Sequence, residues 1–232
     1  MKNSPMLRFI FSLVLSAGFL YGFAQQAADS TTVKAEKDYK PSMIILGYNA
    51  VPLIRTVFFS GSTAQNGQVG IDFANNLLMV DFGVQRTERT GETYSYINEG
   101  TFYRVGVETN VLKNVTDANS LTLGLRYARS RFSDEMEITD DFGFGEVTIN
   151  TANDVVKSRW WELTFGLNVK VYRQIYFGYL VRYKLYKVNK EVGALYPYDL
   201  PGFGLNENDT SVGFDYYIRW ILPFGKQKQP VE

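Results

Sequence analysis

Apolar and polar residues alternate with a period of two along most of the chain after residue 40. The pattern is clearest between Trp160 and Val171, and it returns from Ile175 to Leu185 and from Phe214 to Leu222. Successive side chains of a β-strand point to opposite faces, so this period predicts strands with one apolar and one polar face. We place eight of them, near residues 42–49, 69–75, 77–86, 101–110, 120–132, 158–171, 174–187 and 211–222.

The connections between these strands alternate in length. Residues 75–76, 110–119 and 172–173 form short to moderate connections, whereas 52–68, 87–100, 133–157 and 188–210 are long. Short turns at one end and longer loops at the other are typical of bacterial outer-membrane barrels. The pattern predicts an all-β fold, an eight-stranded antiparallel up-and-down transmembrane β-barrel. Residues 52–59 either extend the first strand or form a short amphipathic helix.

The first 24 residues have the pattern of an export signal. Lys2 and Arg8 precede an apolar run, and the small residues Gly22 and Ala24 suit cleavage before Gln25. The apolar run is too short for a comfortable membrane span of roughly 20 residues. We therefore predict a signal peptide (1–24), a flexible periplasmic arm (25–40), the barrel (41–224) and a periplasmic tail (225–232), with the mature protein in the outer membrane.

Alternation alone does not say which face of the barrel is outside. In a soluble lipocalin-like binder the apolar face lines a cavity, whereas in a membrane barrel it meets lipid. The apolar face from Trp161 to Val171 would span about 25 Å, which matches the lipid-facing band. We expect an aromatic girdle formed by Trp161 at one rim and by Trp220 and Phe224 at the other.

Glycines and charged residues share the polar face, which the membrane orientation places in the lumen. Glycines there leave room for large neighbours, and nearly balanced charges can pair, as a narrow interior requires. The predicted lumen glycines are Gly47, Gly70, Gly83, Gly106, Gly124, Gly166, Gly178 and Gly213. The predicted lumen charge network is Asp72, Asp81, Arg104, Glu108, Arg126, Glu162, Lys170, Arg182, Lys184, Asp215 and Arg219.

The amino-acid composition limits the catalytic and metal-binding chemistry that the chain could perform. The chain has no His and no Cys, which removes imidazole-based hydrolysis and the usual zinc ligands. We therefore expect no catalytic residues, no metal site and no cofactor, and we do not expect an enzyme. The chain has 24 basic and 24 acidic residues, a balance that does not favour nucleic acid as a partner.

The final predicted strand, FDYYIRWILPF (Phe214 to Phe224), resembles the last strand of known outer-membrane barrels. Together with the signal peptide and the alternating strands, it resembles the small outer-membrane barrels related to OmpA and OmpX, and more particularly the PorT-like group. The terminal strand is similar to the aromatic C-terminal signal read by the barrel-insertion machinery. The resemblance implies outer-membrane lipid and that machinery as partners.

The resemblance also implies a non-enzymatic structural, assembly or partner-binding role in the cell envelope. A partner could bind through loops 133–157 and 188–210, of which the first is acidic and the second contains LYPYDLPGFG. The alternative for the LYPYDLPGFG segment is that it packs over the mouth of the barrel. Two other functions remain open at this point. They are a narrow pore or small-solute transporter, and a soluble periplasmic lipocalin-like binding protein.

Overall fold

The structure, a computed structural model, describes residues 40–58, 61–73, 76–111, 119–141, 143 and 145–224. The predicted signal peptide, the tail and nearly all of the arm lie outside these residues. The eight long strands are β1 (Met43–Asn49), β2 (Ser62–Phe73), β3 (Asn76–Thr90), β4 (Tyr94–Asn110), β5 (Ser120–Asp141), β6 (Glu146–Tyr172), β7 (Ile175–Lys190) and β10 (Ser211–Pro223). Helix α1 (Ala50–Phe58) and the short strands β8 (Asp199–Leu200) and β9 (Gly204–Leu205) complete the fold.

The eight long strands form a closed antiparallel barrel. The ring order is β1-β10-β7-β6-β5-β4-β3-β2, and β1 closes it by pairing with β10 from Met43↔Pro223 to Asn49↔Tyr217. Strands β8 and β9 pair only with each other. The predicted eight-stranded up-and-down barrel is confirmed. We call the end that holds the β2–β3 and β6–β7 turns the short-turn end, and the opposite end the long-loop end.

The predicted strand bounds are wrong mainly at the long-loop end. Strands β3, β4, β5 and β6 continue well into the segments predicted as loops 87–100 and 133–157. These extensions are rich in polar residues, so their apolar alternation is weak, yet backbone pairing continues there, for example at Thr139↔Thr148. Hydrophobic periodicity predicts a strand where one face is apolar and gives only a weak signal where polar residues predominate on both faces.

Residues 50–58 are helical, which decides between the two alternatives left open by the sequence. Asn49 Oδ1 accepts the Val51 N–H at 3.1 Å and so caps the first turn. Pro52 lies in that first turn, where its missing N–H costs nothing. Among the described residues, no helix combines the length and the apolar character needed to cross a membrane.

The two faces of the barrel are reversed relative to a soluble protein. On the outside, Phe165, Phe177 and Ile218 expose 44%, 54% and 50% of their surface. The inward positions are polar and charged, and they include the buried side chains of Asp81, Glu108, Arg126, Glu162 and Arg182. At the short-turn end of the interior, Ile45, Leu77 and Met79 form an apolar floor cluster. The charged layer therefore lies above an apolar base.

All eight predicted glycines lie on the inward face. A Cβ added to Gly124 would come within 2.8 Å of Glu108 Cγ and of the Val107 carbonyl oxygen. A Cβ on Gly178 would lie 2.9 Å from Asn168 Oδ1 and 3.1 Å from Arg219 Nε. The space beside these glycines is thus occupied by long polar side chains from neighbouring strands.

Replacing Gly124 with Leu should overpack the interior and lower the free energy of unfolding by about 1–3 kcal/mol. Urea unfolding of the refolded barrel measures the change. The control is Thr101→Leu, which adds an apolar side chain to an exposed, outward position of β4 and should be tolerated. An unchanged or more stable Gly124→Leu protein would contradict the inward placement.

Candidate functional site

The charged layer of the lumen is centred on Arg182, whose guanidinium contacts three carboxylates from three other strands. From β7, Nη1 donates to Glu162 Oε2 at 2.7 Å and Nη2 donates to Asp81 Oδ2 at 2.7 Å. Its Nε donates to the carboxylate of Asp215. Strands β7 and β3 are not neighbours in the ring, so the contact with Asp81 crosses the interior.

Two more arginines complete this arrangement. Arg126 donates to the carboxylates of Asp81 and Glu108. Arg104 Nε donates to Glu162 Oε1 at 2.9 Å, and its Nη1 lies 3.8 Å from Asp81 Oδ2. A buried charge without a partner costs several kcal/mol, so each member requires the others. We call this set the charge network: Asp81, Arg104, Glu108, Arg126, Glu162, Arg182 and Asp215.

Neutral side chains outside the predicted charge set also bind members of the charge network. Gln68 Nε2 donates to Asp81 at 2.8 Å, and Trp160 Nε1 donates to Glu162 at 2.8 Å. The Tyr217 hydroxyl accepts from Arg182 Nη2 at 2.9 Å. All three residues share the inward parity of the charged positions. The alternation therefore placed Trp160 and Tyr217 on the polar face, whereas Gln68 falls within the predicted loop 52–68 and its role could not be read from the pattern.

Three other residues of the predicted network face inward but bind elsewhere. Arg219 donates to Asn168 and lies over the ring of Tyr217. Lys184 Nζ donates to the Phe203 carbonyl oxygen at 2.8 Å. The Asp72 carboxylate accepts from the backbone N–H groups of Ser42 and Met43 at 2.6 and 2.7 Å and so binds the start of β1.

Lys170 departs from the expectation and must be removed from the lumen set. Its side chain is exposed, because it lies at the short-turn rim, where β6 is irregular between Lys170 and Tyr172. Without Lys170, the predicted set has five acids and five bases. The formal charges of this predicted set therefore balance.

Residues 191–210, which we call the cap, cover the long-loop end of the interior. Leu200 and Phe203 are fully buried against Trp160, Phe132 and Val156. The rings of Trp160 and Phe203 meet edge to face at 5.5 Å. This segment of the predicted loop 188–210 therefore packs into the mouth of the barrel.

Polar contacts attach the cap to the wall and to the charge network. The Asp199 carboxylate accepts from Gln85 at 2.7 Å and from Thr87 at 2.8 Å. Arg104 Nη2 donates to the Gly202 carbonyl oxygen at 2.8 Å. Gly202 has a φ of 80°, a conformation that favours glycine. Below the cap lies a cavity of about 560 Å³, bordered by Asn49, Phe203, Asp215 and the side chains of Arg104 and Arg182.

Inside the barrel near the long-loop end, a small buried polar cluster joins β4, β5 and β6. Asn153 Nδ2 donates to Asp134 at 2.8 Å, and the Tyr96 hydroxyl lies 3.5 Å from the same carboxylate. Burial and the charge of Asp134 raise the pKa of Tyr96 to about 12. Burial also raises the pKa of Asp134, against the hydrogen bonds from Asn153 and Tyr96. These groups hold the base of the β5–β6 extension together.

The predicted girdle residues are outward and exposed. Trp161 lies on the long-loop side of the apolar band, where its ring meets that of Tyr127 at 5.2 Å. Trp220 and Phe224 lie at the short-turn end, where the Phe224 N–H donates to the Ser42 carbonyl oxygen at 2.9 Å. Among the described residues, no three His, Cys, Asp or Glu side chains are grouped so that they could hold a metal ion.

Asp81→Asn should destabilise the barrel by about 3–5 kcal/mol, because Arg126 and Arg182 would lose a buried carboxylate partner. Urea unfolding measures the loss. The control is Glu99→Gln, which removes an exposed carboxylate bound to Arg86 at 3.1 Å and should leave the unfolding midpoint unchanged, since exposed pairs contribute little. Equal midpoints for the two variants would show that the network is dispensable for stability.

Comparisons with known proteins give a family and a similar solved structure. The sequence matches none of the curated proteins with which it was compared. The crystal structure of neisserial surface protein A is similar, with a TM-score of 0.33 and 9% sequence identity over 79% of this chain and 96% of that chain. Residues 6–227 match the model of the family described as Domain of unknown function (DUF6048). The chain belongs to the DUF6048 family.

Proposed function

We propose that this protein is a closed, non-enzymatic barrel of the outer membrane that presents its long-loop end to a partner in the cell envelope. The observation that carries the membrane location is the reversed sidedness. Apolar side chains cover the outside and a paired charge network fills the inside. Ten residue steps separate Trp161 from Val171 on the outer face, which gives about 25 Å of height at a tilt of about 40°.

The same observation argues against a soluble lipocalin-like binder. Such a protein needs an apolar cavity for its ligand and a polar outer surface. Here the inward positions hold Asp81, Glu108, Arg126 and Arg182. In water the exposed apolar belt would be a large hydrophobic patch, which soluble monomers avoid.

Three layers close the interior and argue against a pore. The floor cluster of Ile45, Leu77 and Met79 lies at the short-turn end, the charge network lies in the middle, and the cap lies at the long-loop end. An eight-stranded barrel has an interior just wide enough for side chains to fill. The cavity beneath the cap borders Arg182 and Asp215, so its lower boundary belongs to the charge network.

Planar-bilayer recording of the refolded full chain at neutral pH should therefore show no stable channels. A known porin serves as positive control, and insertion is verified by the gel shift of the unboiled protein. Reproducible unitary conductance would contradict the closed barrel. Failure of the folded chain to enter the membrane would contradict the location as well.

The partner-binding role is supported by the β5–β6 hairpin. This hairpin continues to Asp141↔Glu146, whereas β7 pairs with β6 only as far as Lys157↔Lys190. In the part of the chain that the structure describes, the stretch of β6 between Glu146 and Ala152 therefore has β5 on one side and no strand on the other. A strand edge of this kind can accept an extended segment of another protein. Val147 and Ile149 are exposed beside it.

A photo-crosslinking residue at Ile149 should give a discrete adduct in cells. The matched control is the same residue at Phe177, which is equally outward but lies within the apolar band and should give no protein adduct. A complete lack of adducts at Ile149 would contradict the role of the hairpin. An adduct of twice the chain mass would identify the partner as a second copy.

A further inference from the structure

Four cations lie side by side on the outer face of β5 and β6, and we call them the basic patch: Arg129, Arg131, Lys157 and Arg159. In the antiparallel register, Arg129 is directly opposite Arg159 and Arg131 is directly opposite Lys157. All four are separated by an even number of residues from Tyr127 or Trp161 on the same strand, so they point outward as those two residues do. The patch is therefore a compact block of positive charge on two adjacent strands.

Stability alone does not explain this arrangement. Like charges directly opposite each other across two strands are destabilising. Lys157 binds the Glu191 carboxylate at 2.9 Å. Among the described residues, no carboxylate lies within 4.0 Å of the guanidinium groups of the other three members. The repulsion would be relieved if an anion bound between them.

The outward arginine of β3 shows the contrast. Arg86 also lies beyond the apolar band, but its guanidinium binds Glu88 at 2.6 Å and Glu99 at 3.1 Å. Its charge is thus neutralised by neighbouring carboxylates of the chain itself. On the β5–β6 face, by contrast, the three arginines of the basic patch have no such carboxylate partner among the described residues.

The height of the patch identifies the kind of anion, and this step rests on the proposed membrane location. Arg129 and Arg159 follow the aromatic pair Tyr127 and Trp161 by two residues towards the long-loop end. Two residues correspond to about 5 Å of height at the usual tilt. Aromatic pairs mark the boundary between hydrocarbon and headgroups, so the patch lies at the level of lipid phosphates.

We propose that the basic patch binds the phosphate groups of an anionic lipid in the leaflet at the long-loop end. Arginine guanidinium groups bind phosphate oxygens in a bidentate manner. Directly below, Tyr127, Trp161 and Leu163 offer an apolar surface to the acyl chains of the same molecule. The combination of cations above and apolar side chains below fits a lipid better than a free anion.

The test is a titration of the refolded full chain with diphosphoryl lipid A in zwitterionic micelles. Each cation near an anionic lipid surface contributes about five-fold in affinity. The double variant Arg129→Gln/Arg159→Gln should therefore weaken lipid A binding by roughly 20- to 30-fold. The matched control Arg86→Gln should leave the dissociation constant unchanged. Arg129→Lys/Arg159→Lys keeps the charge but loses the bidentate contacts, so its affinity should lie between that of the unmodified chain and that of the double glutamine variant.

The unboiled gel shift confirms that each variant is folded, and Arg131→Gln alone provides a milder version of the same test.

Equal weakening by Arg86→Gln and by the double variant would overturn the proposal, because binding would then follow net charge. Displacement of lipid A by inorganic phosphate at similar concentration would overturn the lipid as the source of the phosphate. A chain that inserts into vesicles but binds no lipid A would overturn this inference alone. A folded chain that does not insert would overturn the proposed function as well.

Discussion

The barrel depends on one constraint, which is that charges enclosed in a narrow interior must be paired. Arg182 meets this constraint by contacting Glu162, Asp81 and Asp215 from three different strands. Because Asp81 lies on β3, this pairing ties together strands that share no backbone hydrogen bonds. The network therefore cross-links the barrel through its centre, while the β-ladders link it only around the wall.

The remaining features of the interior follow from this network. Glycines such as Gly106 and Gly178 are needed because Arg126 and Arg219 occupy the space that a Cβ would take. The cap is bound to the network through Arg104, which donates hydrogen bonds to both Glu162 and the Gly202 carbonyl oxygen. The longest strands of the barrel are β5 and β6, with 22 and 27 residues, and their hairpin is the surface through which we propose that it binds a partner.

The sequence allowed the eight strands, their antiparallel order and the inward face to be predicted, and the reason is periodicity. A strand buried on one face repeats every two residues, so Glu162, Thr164 and Gly166 could be placed on one face before any contact was known. Lys170 has the same parity, yet it is exposed at the rim. The place of a residue in the two-residue repeat predicts the face of the strand on which it lies. It does not predict how far the enclosed interior extends along the barrel axis.

Tertiary structure decided everything that depends on distance across the barrel. Residues 81 and 182 are far apart along the chain, and only ring closure brings Asp81 within 2.7 Å of Arg182. The composition of the Leu195–Gly204 segment allowed packing over the barrel mouth to be predicted, but not the contacts of Leu200 and Phe203 with Trp160, which depend on how the segment folds back onto the wall. Local spacing thus determined the strands and their two faces. The partners inside the barrel were determined by its closure, since contacts between distant segments leave no periodic trace in a single sequence.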